Sequence, residues 1–165
     1  MRNNFNNYNR PEKEFEEVVI EINRISKKTQ GGNQMRFSAL VVVGDRKGRV
    51  GMGLGKAPDV VSSINKAANF AKKHLINVPM NGTTLPVSRE VKFGAARVLV
   101  KPAPPGSGII AGGPLRVVFD VAGVRDVVSK ILGTNNKISN VYAVMKALSE
   151  ISNMVKRRDA LKQNA

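Results

Sequence analysis

The 165 residues carry 27 Lys and Arg against 12 Asp and Glu, a formal net charge of +15, with 42% hydrophobic residues. That balance excludes an acidic or wholly disordered chain and describes a folded one that repels itself until a polyanion neutralises it. No apolar run approaches the roughly 20 residues of a membrane-spanning helix, and the absence of cysteine excludes a disulfide framework and any thiolate metal site.

Residues 1–14 predict a loose tail, because five asparagines and no branched aliphatic side chain leave its first part nothing to bury. Phe5 and Tyr8 are its aromatics, available to stack on a partner. Asparagine-rich and then acidic, this N-terminus has the pattern of neither a secretory signal nor a transit peptide, which predicts a cytoplasmic protein. Residues 15–28 fit two periods: Phe15, Val18, Val19, Ile22 and Ile25 suit a helix, Val18, Ile20 and Ile22 a strand, and the β-branched density favours the strand. TQGGNQM at 29–35 is a turn signal. RFSALVVVGD at 36–45 then reads as a buried strand and RVGMGLG at 49–55 as a third, completing an antiparallel meander. Pro58 suits the first position of a helix with Asp59 beside it, and Val60, Val61, Ile64, Ala67, Ala68, Ala71 and Leu75 keep helical spacing to about Asn77.

NVPMNGTTLP at 77–86 breaks the pattern and divides a first domain over 15–80 from a second over 81–158, with a tail over 159–165. In the second domain Val87, Val91 and Phe93 alternate as on a strand, ARVLVK at 96–101 gives another, and PAPPGSGIIAGGP at 102–114 is a long loop. Leu115, Val118, Phe119 and Ala122 then fall at helical spacing. DVVSKIL at 126–132 is a short element of either type, and a last helix runs from about 140 to 155, closed by Lys156, Arg157 and Arg158.

Three features invite a chemical reading. GRVGMGLGKAPDVV at 48–61 is glycine-rich and stands ahead of a helix, but it is not a Walker loop: Val50 stands where the first glycine belongs, and Ala57 where the hydroxyl does. It is not a dinucleotide fingerprint either, because Gly51, Gly53 and Gly55 are spaced by two throughout. On a strand that spacing strips one face of side chains, so another backbone can come close, whether a neighbouring segment alone or a ribose-phosphate chain as well. Lys56 and the helix amides that follow would favour an anion there. The glycine-rich loop at 104–113 admits a second reading, the phosphate loop of a small-molecule kinase, although it lacks basic or hydroxyl-rich residues behind the glycines. His74 has no second imidazole with which to build a metal site, and the glutamates at 12, 14, 16, 17 and 21 read as a solvated face or a contact to a basic partner. No catalytic constellation, metal site or cofactor is expected.

Charge carries the functional reading. Between positions 22 and 80 eleven basic residues (Arg24, Lys27, Lys28, Arg36, Arg46, Lys47, Arg49, Lys56, Lys66, Lys72 and Lys73) face only Asp45 and Asp59. The first domain is therefore the expected polyanion binder, acting through phosphates and shape, since few aromatics are placed for base stacking.

VVIEINRISKKTQGG, FSALVVVGDRKGRVGMGLGKAPDVVSSINKAANFAKKHLINVP, GSGIIAGGPLRVVFDVAGVRDVVSKILGTNN and NVYAVMKAL together resemble the bacterial ribosomal small-subunit protein S-five family over residues 18–148. The resemblance implies an α+β fold of two small domains: an N-terminal double-stranded-RNA-binding-like sheet plus helix and a C-terminal S-five D2-like α/β sandwich. It implies a non-enzymatic structural constituent of the small ribosomal subunit that binds small-subunit rRNA at the body/head junction and packs against small-subunit proteins four and eight. It also implies a part in translational accuracy, near the mRNA entrance. The rRNA-binding set expected on this basis is Arg24, Lys27, Lys28, Gly31, Gly32, Arg36, Arg46, Lys47, Arg49, Gly51, Gly53, Gly55 and Lys56, with the loop at about 29–37 reaching toward the head RNA. Asn33 and Gln34 stand there in place of the family's usual basic pair. Gly106, Ser107, Gly108 and Arg116 are the expected protein interface. The alternatives are a small-molecule kinase of the D2-like fold and a free double-stranded-RNA-binding regulator.

Overall fold

A computed structural model describes residues 14–163; the expected tail up to position 13, with Phe5, Tyr8 and Glu12, lies outside the described residues. Three strands, β1 (Glu16–Thr29), β2 (Gly32–Gly44) and β3 (Arg49–Ala57), form the expected meander. The β-branched reading of β1 holds, although Val19 and Glu21 bracket a bulge. Helix α1 (Val60–Lys73) starts two residues later than expected, because Asp59 caps it and leaves Pro58 outside: Val61 N–H donates to Asp59 Oδ2 at 3.1 Å. The helix also stops before Asn77, since residues 76–77 are β4 (Ile76–Asn77), paired with Arg49 and Val50 of β3.

The second sheet comprises β5 (Arg89–Phe93), β6 (Ala96–Pro102), β7 (Ile109–Ile110) and β8 (Val127–Ile131), in the order β5-β6-β8-β7. Helix α2 (Gly113–Ala122) links β7 to β8, which run parallel, and α3 (Lys137–Gln163) follows. The element of either type at 126–132 is thus a strand, with Val127 and Ser129 buried and Lys130 exposed. The last helix is longer at both ends than its apolar spacing suggests, and the expected tail from 159 is helical through Gln163.

Alternation within β2 and β3 explains how the two units meet. Ala39, Val41 and Val43 form one small cluster with Ala67, Ala68 and Ala71 of α1. Leu40, Val42, Val50 and Met52, on the opposite face, join a core that contains Leu115, Phe119 and Val121 of α2 and Val144, Leu148 and Ile151 of α3. The first sheet is therefore a middle layer, with α1 on one side and the second domain on the other. The segment between the domains is pinned into this core rather than loose: Val78 and Leu85 are buried. At the other end of the contact, Arg46 N–H donates to Val121 O at 3.1 Å and Gly48 N–H to Ala122 O at 3.0 Å, so the β2–β3 turn satisfies carbonyls at the end of α2. Gly123 ends that helix in the left-handed region at φ 86°.

Candidate nucleic-acid interface

Strand β3 covers β2 only over 37–44, so residues 25–36 of β1 and β2 leave the sheet as a two-stranded arm about 20 Å long, with Arg24 at its root. Every residue from 22 to 36 is exposed except Ile25, which is half-buried. The loop expected at about 29–37 is a correction: only Gln30 and Gly31 form a turn, closed by Thr29 Oγ1 donating to Gly32 O at 2.8 Å, and 32–37 is strand. Gly32 holds φ 126°, a conformation that a side chain would strain.

The register sorts the arm's charges. Arg24, Lys28, Met35 and Asn33 lie on one face, Lys27 and Arg36 on the other, so cations project both ways. No acidic residue occurs from 22 to 44. Arg24 donates to Met35 Sδ at 2.7 Å, a weak acceptor that leaves the guanidinium's charge uncompensated. Lys56, paired with Ser38, stands exposed at the arm's root. A two-stranded ribbon without a buried face is marginal in water, and one that is cationic on both faces is suited to sit among phosphates.

Elsewhere the acidic residues of β1 are used inside the chain. Arg46 pairs with Glu16 through two hydrogen bonds of 2.5 and 3.0 Å, Lys72 with Glu17 at 2.7 Å, and Lys137 with Glu21 at 3.2 Å. Arg49 reaches Asp45 at 2.7 Å and lies over the Phe15 ring, 5.1 Å from its centroid. Burial works to raise the Asp45 carboxyl, but the Arg49 hydrogen bond and the Lys47 and Arg49 N–H groups outweigh it and hold it below its ordinary value. Arg46 and Arg49, both in the expected RNA-binding set, each hold a carboxylate at the β2–β3 turn while their side chains stay about half exposed, and Lys47 is the cation there without a carboxylate partner among the described residues. Glu16, Glu17 and Glu21 form internal ion pairs rather than a solvated face.

The glycine stripe is also corrected. A Cβ built on Gly51, Gly53 or Gly55 would meet the α1 backbone at Ala71, Ala67 or Ser63, well inside the 3.0 Å that real Cβ atoms essentially never breach. The bare face is filled by α1, so an RNA backbone has no room against it. The signal was present in the sequence: Ser63, Ala67 and Ala71 recur every four residues, a small-residue stripe matching the alternate glycines.

In the second domain, Gly106, Ser107 and Gly108 belong to a turn in which Ser107 Oγ donates to Pro104 O at 2.8 Å. The turn is anchored on Asp126, which is only 4% exposed and which the sequence did not single out. Gly108 N–H donates to Asp126 Oδ1 at 2.9 Å, so this amide serves a carboxylate of the protein itself and is not offered to a nucleotide phosphate. Arg116 is exposed on α2 and shares a groove with Ile109, beside Gly108. The Thr83 hydroxyl and the Gly108 amide, with smaller help from Gly106 and Ser107, hold the Asp126 carboxyl below its ordinary value of 3.8 against the opposing effect of burial. A depressed carboxyl contributes stability that is complete above the unfolded value and lost as pH falls through the folded one. The Gly108 amide resonance is accordingly expected to titrate with a midpoint below 3.8, and Asp126→Asn to abolish that titration; a Gly108 amide indifferent to acid would contradict the anchor.

Sequence reasoning also missed two surfaces. The outer face of the second sheet carries Lys92, Arg97, Lys101 and Lys130, with Glu90 paired to Arg97. On α1, Phe70 is exposed and stacks on His74, whose Nδ1 lies 2.9 Å from Phe70 O. Among the described residues no group of three or more His, Asp or Glu gathers as metal ligands, and no helix is long and apolar enough to cross a membrane.

Residues 15–79 match the family described as ribosomal protein S5, N-terminal domain, and residues 91–160 the one described as ribosomal protein S5, C-terminal domain. The chain is 47% identical over 141 residues to the small ribosomal subunit protein uS5 of Thermus thermophilus, across 86% of this chain and 87% of the relative. The same protein from two named strains of that organism matches to the same extent.

Proposed function

This chain belongs to the ribosomal protein S5 family, structural proteins of the small ribosomal subunit and not enzymes, and from that premise we propose that its β1–β2 arm holds small-subunit rRNA by the phosphates. The observation that carries the reading is the segregation of charge. The acidic residues of β1 neutralise Arg46, Lys72 and Lys137, while the arm keeps Arg24, Lys27, Lys28 and Arg36 exposed on both faces with no acid beside them. Gly31 and Gly32 let RNA approach the arm's tip closely, and Lys47 and Lys56 extend the cationic surface. The arm reaches RNA at the junction of body and head. The second domain docks on small-subunit proteins four and eight, with Gly106, Ser107, Gly108 and Arg116 at the protein contact. Near the mRNA entrance, that contact contributes to translational accuracy.

The full chain is expected to retain protein-free small-subunit rRNA on filters with an affinity that falls steeply as salt rises, because each neutralised phosphate releases counterions. Retention insensitive to salt would defeat the reading.

A further inference from the structure

Helix α1 turns Ser63, Ala67 and Ala71 to the sheet and its opposite side to solvent, while the second domain covers the far face of that sheet. The solvent side forms a shallow groove of about 570 Å³ lined by Ser62, Asn65, Lys66, Asn69, Phe70 and Lys73. Phe70 is 49% exposed, a large apolar ring left in water in a helix that buries alanines. Its ring stacks on that of His74 with centroids 4.2 Å apart and planes 23° from parallel, which holds the two rings as one stacked pair.

The surroundings of that unit select its partner. Lys66 lies one helical turn before Phe70 and Lys73 one turn after it, and neither pairs with a carboxylate among the described residues. Asn65 and Asn69, four apart, offer amides that both donate and accept. No acidic residue falls within α1, so the face repels a basic partner. A single ring amid amides and lysines is too polar for the apolar centre of an ordinary protein interface, but it has the parts that hold an unpaired nucleotide: a stacking surface, edge-reading amides and flanking cations.

We infer that this face of α1 takes one unpaired nucleobase, stacked on the Phe70–His74 pair, with the adjoining phosphates on Lys66 and Lys73. The inference rests on the RNA-binding reading above but concerns a surface separate from the arm and a different mode of contact. The probe is an RNA duplex interrupted by a single bulged purine, competed against the same duplex uninterrupted for binding to the full chain. The chain is expected to prefer the bulged RNA by about 5- to 150-fold, the range one base–aromatic stack supplies. Phe70→Tyr keeps the preference. Phe70→Leu removes it, with affinity for the uninterrupted duplex and thermal stability unchanged. Equal affinity of the unsubstituted chain for the two RNAs, or a preference that survives Phe70→Leu, overturns the inference and leaves the arm's role standing. So does a photocrosslinker at Asn69 that labels only protein in intact small subunits. Failure of the underlying RNA reading looks different: the chain then binds neither duplex, and the inference falls with it.

Discussion

Alanine at Gly53 is expected to destabilise the protein by about 3 kcal/mol or more, at or beyond the upper end for overpacking a well-filled core. The added methyl would be driven into the carbonyl of Ala67, with Ala71 N also close, and both are helix backbone that cannot rotate aside. Relief requires α1 to lift from the sheet, which opens the cluster of Ala39, Val41, Val43, Ala67, Ala68 and Ala71. For a chain of this size that loss lowers the melting temperature by roughly 6 °C or more. Gly31→Ala is the control, since nothing lies within 4 Å of its added Cβ, and it should stay within about 0.5 kcal/mol. Urea and thermal unfolding of the two variants decide the point: equal stability would mean that the stripe is not there to admit the helix.

Neutralising the arm is expected to have the largest effect on binding. Arg24→Gln, Lys27→Gln, Lys28→Gln and Arg36→Gln combined remove four exposed cations without touching a buried side chain, so melting should hardly change. If each contacts a phosphate, the slope of log affinity against log salt becomes shallower by up to about 3.6, taking about 0.9 per contact on a duplex. Arg46→Gln with Arg49→Gln should behave in the opposite way. Those guanidiniums hold Glu16 and Asp45, so the pair lowers stability and leaves the salt slope nearly as it was. A slope that responds to the turn and not to the arm would reassign the interface to residues 45–49.

What could be read from sequence follows how locally each feature is encoded. The meander, α1 and α2 rest on periodicity and turn residues within about fifteen positions, and these were legible. Strand β7 was not, because two residues give no period; it exists through parallel pairing with Val127 and Val128, well along the chain. The glycine stripe announced a bare strand face, but its occupant was written in a different element, the small residues of α1. Charge shows the same limit. Composition and clustering gave the basic first domain, yet Arg46 and Arg49 looked the same as Lys27 and Lys28 until the fold brought Glu16 to Arg46 and curled Asp45 back on Arg49. Asp126 was invisible for a similar reason, since its value lies in the amide of Gly108, eighteen residues earlier. Phe70 lies outside the apolar phase of its helix, so periodicity marks it as neither core nor site.

The most direct test places a photoreactive side chain at positions 24, 28 and 34 of the arm and at 46 of the β2–β3 turn, one at a time, in intact small subunits. The arm positions should crosslink to rRNA nucleotides in high yield, and position 46 only weakly. Arm positions that label protein alone, with the RNA adducts confined to position 46, would contradict the assignment of the arm as the RNA-holding element.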